Sequence, residues 1–389
     1  MKEGWEYKKL GEVCDRITDG SHNPPKGISS SNYLMISSQN VFNDRIILND
    51  VRYLSKDDFL KEDKRTHIKP NDVLLTIVGT IGRCAVVKEE IGNVTLQRSV
   101  AVLSPSDSIN SRYLMYCCIG NNDNLNKNAH GVAQRGIYLK QLEKVAIPVP
   151  SLSDQHQIVS ELDLLSGAIE KQKAQLVELD KLAQSIFYDM FGDKKWEYKS
   201  LKEITFKMGS GATPRGGNQS YKLSGVSLIR SLNVHNNCFI YGDLAYIDEE
   251  QAKQLNNVVV EIGDVLLNIT GASVARCCMV PDDVLPARVN QHVCIIRPIS
   301  QINNVFLCHF LISKDTQTDL LNLSRNNAAT REALPKGLLE KFRVPLPPLA
   351  LQQEFASKIE AIESMKAKVR QSLSEAETLF NSRMDYYFN

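Results

Sequence analysis

The nine residues WEYKKLGEV, at positions 5–13, recur as WEYKSLKEI at positions 196–204, and these two stretches hold both tryptophans of the 389-residue chain. Further similar blocks follow in the same order. The tryptophan phrases are 191 positions apart and the further blocks 192 to 197: 36–41 with 229–234, 72–79 with 264–271, 83–84 with 276–277, and 142–150 with 339–347. Because the order is kept throughout, the chain is a duplication of about 190 residues. Two copies of this length favour two similar domains over a solenoid.

Each copy has the same internal plan, a mixed segment of about 150 residues followed by a helical one. The apolar runs DVLLTIVG and DVLLNITG end in glycine and are typical of buried strands. Each mixed segment ends in a proline-rich stretch, IPVPSLS or VPLPPLA, which interrupts strand pairing and marks a boundary. The sequence therefore predicts globular α/β domains at 1–150 and 193–347.

The two helical segments, 151–192 and 348–389, carry apolar residues spaced alternately by four and three positions. This seam comprises Ile158, Leu162, Leu165, Ile169, Leu176, Leu179 and Ile186 in the first segment and Phe355, Ile359, Ile362, Val369, Leu373 and Phe380 in the second. The pattern predicts a long antiparallel two-helix coiled coil, on the order of 50 Å, which separates the two domains of a pseudo-twofold repeat. Polar Gln172, Lys366 and Arg383 also lie on the seam, where such residues often fix the register. The alternative is two unrelated amphipathic helices, each packed on its own domain.

The composition, 43% hydrophobic and 23% charged, is that of a soluble globular protein. No apolar run reaches the roughly 18 residues of a membrane span, and the N-terminal residues have no apolar signal core, so we expect a cytoplasmic protein. The nine cysteines form no C-x-x-C pair, which favours buried free thiols, and the histidines have no metal-binding spacing. With a net charge of only +1, any DNA binding must depend on local patches and on partner subunits.

Both domain exits are followed by a glutamine, in IPVPSLSDQ at 147–155 and VPLPPLALQ at 344–352. The first helical segment ends in FYDMFGD at 187–193, directly before the second tryptophan phrase. In their order and duplication, these motifs resemble the specificity subunit of type I restriction–modification systems. The resemblance covers essentially the whole chain.

The resemblance implies a non-catalytic DNA specificity subunit with two target-recognition domains. Each domain would read one half of a bipartite, asymmetric target in double-stranded DNA. The helices would set the spacing between half-sites and dock two modification subunits, which methylate adenine. The chain itself would hold no cofactor, because S-adenosylmethionine would be bound by the modification subunit. Restriction subunits, where present, would use the same target choice for cleavage.

Two other functions stay open from the residues. A stand-alone, duplicated-domain DNA methyltransferase is suggested by Asn23-Pro-Pro-Lys26, but lysine stands where that catalytic motif needs an aromatic residue. The second copy has Ala212-Thr-Pro-Arg215 at this place, and the glycine-rich stretch at 209–217 lacks the G-K-[ST] ending of a nucleotide loop. A scaffold protein that binds no DNA is the third possibility.

Side chains with two hydrogen-bonding arms suit base recognition, since arginine can bind guanine and asparagine or glutamine can bind adenine. Such residues recur at matched positions of loops in both copies. The candidates in the first copy are Lys26, Ser38, Asn40, Arg83, Gln97, Arg98, Gln134 and Arg135, and those in the second are Arg215, Arg230, Asn233, Arg276, Gln291, His292, Arg325, Asn327 and Arg331. Lys26 and Arg215 are expected to contact phosphates. Residues that read bases should differ between the copies, as Gln134 and Arg331 do.

Overall fold

The computed structural model describes residues 5–89, 91–127, 129, 135–192, 194–326 and 332–388. The chain divides into two compact units. Unit 1 consists of Met1–Lys173 with Gln371–Asn389, and unit 2 of Ala174–Arg370. Each unit therefore contains one α/β domain and half of each of two long helices. The four segments predicted above follow the chain rather than these units, and they stay a prediction.

The domain of unit 1 is built on two small sheets. Its strands are Glu6–Lys9 (β1), Cys14–Asp19 (β2), Tyr33–Ile36 (β3), Val41–Phe42 (β4), Arg45–Ile46 (β5), Arg52–Tyr53 (β6), Val73–Thr76 (β7), Cys84–Val86 (β8), Asn93–Leu96 (β9), Val100–Pro105 (β10) and Ala146–Val149 (β11). Its helices are Leu10–Val13 (α1), Lys56–Thr66 (α2), Ser111–Gly120 (α3), Asn122–Lys127 (α4) and Leu139–Leu142 (α5), followed by the long helix Leu152–Phe191 (α6). One sheet has the order β2-β10-β7-β8 with antiparallel neighbours, and the other has the order β6-β3-β9, in which β3 and β9 are parallel. A separate pair, β1 with β11, ties the tryptophan phrase to the proline-rich exit.

Strand β7 explains why its sequence is an unbroken apolar run. Val73 and Leu75 belong to the core that contains Tyr113 of α3, whereas Leu74 belongs to the core that contains Ile36 of β3. Successive side chains of a strand point to opposite faces, so both faces of β7 are buried. The larger sheet thus lies between a helical layer and the smaller sheet.

Unit 2 repeats this plan. Its strands are Tyr198–Ser200 (β12), Thr205–Ser210 (β13), Val226–Ile229 (β14), Val234–His235 (β15), Cys238–Phe239 (β16), Ala245–Ile247 (β17), Val265–Asn268 (β18), Cys277–Met279 (β19), Ala287–Val289 (β20), Val293–Pro298 (β21) and Arg343–Pro345 (β22). Its helices are Leu201–Ile204 (α7), Glu249–Gln254 (α8), Asn304–Ile312 (α9), Lys314–Asn326 (α10) and Lys336–Leu339 (α11), followed by the long helix Leu349–Phe388 (α12). The sheet orders are β13-β21-β18-β19, β17-β14-β20 and β12-β22, which match those of unit 1 strand for strand. The predicted fold class, a duplicated α/β domain with two long helices, is confirmed.

The glutamine after each domain exit fastens the long helix to its domain. Gln155 is fully buried; its Oε1 accepts the backbone N–H of Asn110 at 2.8 Å, and its Nε2 donates to the carbonyl of Pro150 at 3.0 Å. Gln352 makes the same two bonds in unit 2, with Asn303 and Pro347 at 2.8 Å each. Because an unpaired buried polar group is costly, only a side chain with both a donor and an acceptor fits this position.

The long helices pair with each other inside each unit. Every seam residue named above is buried or half-buried, whereas Leu164 and Val177, which lie off the seam, are 73% and 52% exposed. In unit 1, Arg383 is ion-paired with Glu161, and Gln172 Nε2 donates to Ser372 Oγ at 2.6 Å.

In unit 2, Lys366 Nζ lies 2.7 Å from Asp180 Oδ1. Within each unit, residues later in α6 contact residues earlier in α12, so the two helices are antiparallel. The same halves also pack on their domains, as Phe187 and Phe355 do with Phe306 of α9. The two long helices are therefore paired, as predicted, and the alternative of two unrelated helices is wrong.

All nine cysteines are free, and all but Cys238 are buried. Burial raises the pKa of the Cys14 and Cys294 thiols to about 12, which leaves them protonated and unreactive. In the described part of the chain, no helix is both long and apolar enough to cross a membrane.

Candidate nucleic-acid interface

In unit 1, the loops that follow several strands meet at one edge of the two sheets. The backbone N–H of Gln97, after β9, donates to Ile36 at the end of β3 at 2.9 Å, and that of Arg98 donates to Ser21 after β2 at 2.9 Å. Gly79, after β7, donates to the carbonyl of Arg135 at 3.2 Å. We call this surface the loop edge of unit 1. It comprises residues 20–22, 37–39, 78–82, 97–99 and 135–136.

The loop edge of unit 2 is built by similar bonds, and those of Asn290 and Gly271 are equivalent to those of Gln97 and Gly79 in unit 1. The N–H of Asn290 donates to Ile229 at the end of β14 at 3.0 Å, and that of Gly211 donates to Asn290 at 3.1 Å. Gly271 donates to the carbonyl of Glu332 at 2.9 Å. This edge comprises residues 211–215, 230–232, 270–273, 290–292 and 332–333.

A glycine begins the same loop in both units because the backbone there is left-handed. Gly79 has φ 82° and Gly271 has φ 72°. Few residues with a side chain adopt this conformation without strain. The glycine that ends each apolar run in the sequence therefore turns the chain along the loop edge.

Several predicted residues of unit 1 present their side chains at or beside this edge. Arg98 is exposed, and within the described residues its guanidinium has no hydrogen bond or ion pair. Arg135 is exposed and donates to the carbonyl of Asn126 at 2.8 Å. Gln97 is half-buried, and Lys26 lies exposed on the loop after β2.

Two other candidates of unit 1 are partly committed to the fold. Ser38 donates its backbone N–H to Ser99 Oγ at 3.0 Å. The guanidinium of Arg83 lies over the ring of Phe42, 5.0 Å from its centre, and its side chain is half-buried. The contact with Phe42 makes the guanidinium of Arg83 less available to a ligand than that of Arg98, whereas Ser38 is held, among the described residues, only through its backbone N–H.

Sequence reasoning missed a polar cluster beside the loop edge of unit 1. Asp19, at the end of β2, is only 5% exposed. It is ion-paired with Arg65 of α2, and its Oδ2 lies 2.8 Å from His22 Nε2. The side chain of Arg65 is still half exposed, although its charge is balanced by Asp19. No local motif reveals this cluster, because 46 residues separate Asp19 from Arg65.

The loop edge of unit 2 carries a chain of hydrogen bonds. Thr213 Oγ1 donates to Gln291 Oε1 at 2.6 Å, and Gln291 Nε2 lies 3.1 Å from His292 Nε2. The other ring nitrogen of His292, Nδ1, is hydrogen-bonded to Thr270. Gln291 is exposed and is held in one orientation by these neighbours. A preordered amide of this kind can present a donor and an acceptor together to a base edge.

A cavity of about 540 Å³ opens at this edge of unit 2. Its lining includes Ser231, Arg276, His292 and Glu332, with Leu232 exposed at its rim. The wall therefore combines a cation, an anion and an imidazole within one concave surface.

Arg230 and Arg215 differ in their freedom. The guanidinium of Arg230 lies 5.2 Å from the ring centre of Tyr221 and donates to the carbonyl of Asp243. Arg215 is exposed, like its counterpart Lys26.

Asn40 and Asn233 have a structural role in both units. Asn40 is 3% exposed and Asn233 is fully buried. Asn40 Nδ2 donates to the carbonyls of Ile47 and Asn49 at 3.0 and 2.8 Å, while its Oδ1 accepts the N–H of Ser37 at 3.0 Å. Their burial corrects the expectation that these amides face DNA, because a turn of the backbone uses all of their main donors and acceptors.

Asn233 makes the equivalent bonds, donating to Ile240 at 2.9 Å and accepting from the N–H of Arg230 at 3.0 Å. The remaining candidates come from the loops before the domain exits. Gln134, Asn327 and Arg331 lie outside the described residues. Arg325, at the end of α10, is exposed and ion-paired with Glu332 at 3.0 Å.

Exposed side chains with a charge or two hydrogen-bonding arms lie on each loop edge: Arg98 in unit 1, and Gln291 and Arg215 in unit 2. Side chains of these types can bind phosphates and base edges. Within the residues that the structure describes, no group of three or more His, Cys, Asp and Glu side chains is arranged to hold a metal ion.

The comparisons with known proteins agree with this picture. The family model described as the type I restriction modification DNA specificity domain matches residues 2–179 and 193–377. The chain is 35% identical over 151 residues to the type I restriction enzyme EcoBI specificity subunit of Escherichia coli, a match that covers 37% of this chain but only 31% of that subunit. It is 22% identical over 421 residues to the putative type I restriction enzyme MjaX specificity subunit of Methanocaldococcus jannaschii, covering 97% of this chain and 91% of that subunit.

Solved structures share the fold over the full length. The S subunit of a type I restriction–modification system from M. genitalium matches with a TM-score of 0.62 at 14% identity, covering 100% of this chain and 98% of that chain. A chain from a structure on complex assembly and conformational transition of the type I R-M system matches with a TM-score of 0.57 at 16% identity, covering 100% and 98%.

Because both of its repeats match the family model, the chain belongs to the family of type I restriction–modification DNA specificity domains. The identification of a non-catalytic specificity subunit made from the sequence is confirmed.

Proposed function

We propose that each loop edge reads one half of a bipartite, asymmetric target in double-stranded DNA. The observation that carries this proposal is that the two loop edges share backbone positions but differ in the side chains at those positions. Arg98 corresponds to Gln291, and Arg135 corresponds to Glu332, because each pair occupies the same backbone position in its unit. Two edges with the same frame and different polar groups suit two half-sites of different sequence.

The long helices supply the second part of the proposal. Beyond the seam they expose apolar side chains: Leu164 and Leu379 in unit 1, and Val177, Leu182 and Met365 in unit 2, each between 43% and 73% exposed. Exposed apolar side chains of this size favour burial against another protein. We infer that α6 and α12 dock two modification subunits and set the distance between half-sites. The modification subunits would bind S-adenosylmethionine and methylate adenine, in the cytoplasm, and restriction subunits would join where the system contains them.

The stand-alone methyltransferase receives little support from the loop that suggested it. Lys26 and Asn23 are exposed on this loop, and the carbonyl of Pro25 accepts a hydrogen bond from Arg52 at 2.9 Å. The relatives described above are specificity subunits, so the loop is better explained as a phosphate-contacting segment.

Genome-wide mapping of adenine methylation tests the proposed function. Cells that express the chain with its modification subunit are compared with cells that express the modification subunit alone. We expect one asymmetric bipartite motif to be methylated only when the chain is present. A chain in which residues 196–347 are exchanged for a related domain should alter one half of the motif and leave the other. Identical methylation with and without the chain would overturn the proposal.

A further inference from the structure

In unit 1, one arginine ties a hairpin to the long helix. Arg112 of α3 donates from Nε to Asp163 Oδ2 of α6 at 2.8 Å, and from Nη1 to Asp44 Oδ1 at 2.8 Å. Asp44 is the turn of the β4–β5 hairpin. Tyr116 OH donates to Asp163 Oδ1 at 2.6 Å and completes the network. The guanidinium thus fills the space between the hairpin and α6.

At the position of unit 2 that is equivalent to Arg112, there is no arginine. Asn110 and Asn303 cap α3 and α9 in the same way, each accepting two backbone N–H groups of the first helical turn. Arg112 and Val305 both stand two residues after this cap. A short apolar side chain therefore replaces the guanidinium, and it reaches neither the hairpin nor the helix with a charge.

The two neighbours of the arginine are retained in altered form. Asn237 replaces Asp44. Both have a left-handed backbone, with φ 49° and 60°, and both donate their N–H to the carbonyl of the equivalent cysteine, Cys277 or Cys84. Glu360 replaces Asp163, eight residues after the buried glutamine of its helix. Unit 2 therefore keeps an acid on the helix but has lost the cation that the acid meets in unit 1.

A cavity of about 760 Å³ lies at this position beside α12. We call it the α12 slot. Phe239, Met279 and Val305 form its apolar part, and Glu360 and Glu363 its acidic part.

The two acids of the slot differ in their engagement. Glu363 accepts from Asn237 at 3.0 Å and from Lys366 at 2.7 Å. Glu360 is exposed, and in the described part of the chain its carboxylate has neither a hydrogen bond nor an ion pair. The slot thus offers one unused carboxylate beside apolar walls.

We propose that the α12 slot binds an arginine side chain supplied by a modification subunit. This inference rests on the proposed function, in which α12 docks that subunit. The guanidinium would pair with Glu360 and lie against Phe239 and Met279, in the position that Arg112 fills in unit 1. Arginine suits this site better than lysine, because its planar fork binds a carboxylate with two bonds and packs on apolar and aromatic groups. In unit 1 the guanidinium is that of Arg112, and in unit 2 it would come from the modification subunit.

Two variants of the full-length chain test the slot through the affinity for the modification subunit. Glu360→Gln removes the charge that faces the guanidinium, and we expect the dissociation constant to rise about tenfold. Val305→Arg places the arginine of unit 1 into unit 2, where it would occupy the slot and exclude the partner, with at least as large a loss. The matched control is Glu354→Gln on the same helix, whose carboxylate pairs with Lys358 outside the slot, and it should leave the affinity unchanged.

A competition experiment tests the chemistry of the occupant. N-acetyl-arginine amide should weaken the wild-type complex more than N-acetyl-lysine amide at the same ionic strength, and it should have no such effect on the Glu360→Gln chain. Equal competition by the two amides would overturn the guanidinium assignment.

The outcomes separate this inference from the proposed function. If the wild-type chain fails to bind the modification subunit, the proposed function fails. If the wild-type chain binds and Glu360→Gln binds equally well, only the slot is overturned. Thermal unfolding shows whether Val305→Arg is folded; where its melting temperature falls, Glu360→Gln alone decides.

Discussion

Asp72 of unit 1 and Asp264 of unit 2 directly precede the equivalent buried strands β7 and β18, yet each is paired with an arginine from a different strand. Asp72 is paired with Arg16 of β2 at 3.3 Å, whereas Asp264 is paired with Arg297 of β21 at 2.7 Å. Position 104 of β10, which corresponds to Arg297, is a serine. The buried carboxylate has been kept in both copies, and the cation that neutralises it comes from either of two neighbouring strands. Duplication has therefore preserved the charge pair and not the residues that make it.

The loop edges show the opposite relation. Several of their backbone hydrogen bonds recur at matched positions, but the exposed side chains change in kind: Arg98 against Gln291, and Arg135 against Glu332. Inside the domains an aspartate–arginine pair is kept, although the arginine comes from a different strand. At the loop edges the backbone positions are kept, but the side chains that they carry differ in charge and hydrogen-bonding groups. This contrast is what a pair of domains with one fold and two targets requires.

The largest effect is expected where the charge pair is most buried. The side chain of Asp264 is fully buried and that of Arg297 is 15% exposed. Asp264→Ala removes the buried carboxylate and leaves the Arg297 guanidinium with the more exposed Glu261 as its remaining ion-pair partner among the described residues. We expect the free energy of unfolding of unit 2 to fall by about 3–5 kcal/mol. Asp72→Ala should cost unit 1 less, about 2 kcal/mol, because Arg16 is 32% exposed and can be hydrated.

The tryptophans allow the two units to be measured separately. Trp5 belongs to unit 1 and Trp196 to unit 2, so chains with Trp5→Phe or Trp196→Phe report urea unfolding of one unit by fluorescence. A larger loss for Asp72→Ala than for Asp264→Ala would contradict the ranking by burial.

A pH-dependent difference comes next in size. His309 of α9 stands where α3 has Tyr116, and in the described residues its Nε2 is buried without a hydrogen-bond partner. Burial, and then the nearby charge of Lys366, lower the pKa of His309 to about 4 from 6.5. Between these values the unfolded chain binds a proton that the folded chain does not, so stability falls as the pH falls from 6.5 to 4. We expect a loss of roughly 3 kcal/mol from unit 2 at pH 4, reported by Trp196.

The variant His309→Leu checks this assignment. It removes the titrating group and should flatten the pH dependence of unit 2 over this range, whatever its effect at pH 7. Unit 1, reported by Trp5, serves as the internal reference. A slope that persists in His309→Leu would assign the effect to other groups.

How far the sequence predicts this molecule depends on the distance over which a signal acts. The repeat and the long helices follow from local patterns of the sequence, and the structure agrees with them. The ties made by Arg112 and Arg65 join residues 51 and 46 positions from their partners, so no local pattern reveals them. Asn40 and Asn233 show a different error. They are polar residues at matched positions of both copies, which suggests contact with bases, but both are buried and hold a backbone turn. Exposed residues that differ at a shared position, such as Arg98 and Gln291, are the better candidates.

A smaller and more selective effect is expected when Arg98 is replaced by glutamine, the residue at the equivalent position of unit 2. Arg98→Gln gives the edge of unit 1 the group found in unit 2, and a bidentate arginine contact is worth about 1–3 kcal/mol of discrimination between bases. We expect the methylated motif to lose its preference at one position of one half-site, as seen by methylation mapping. Lys26→Ala is the matched control, since a lost phosphate contact should weaken binding to all sequences and lower the salt dependence. A uniform loss in Arg98→Gln would make it a phosphate contact too.

The smallest effect is expected at the helix pair, where exposure separates two similar ion pairs. Lys173 Nζ lies 3.0 Å from Glu377 Oε1 in unit 1, and the two side chains are 50% and 45% exposed. Exposed pairs of this kind contribute about 0.2–1 kcal/mol, and salt screens them. Lys173→Ala should therefore lower the free energy of unfolding of unit 1 by less than about 1 kcal/mol, and by less still in 1 M salt.

Lys366 of unit 2 is only 3% exposed and is held by Asp180 and Glu363, so Lys366→Ala removes a packed side chain as well as a charge. Its loss should be larger and should survive high salt; equal, salt-sensitive losses in both variants would mean that burial does not distinguish the two halves of the helix pair.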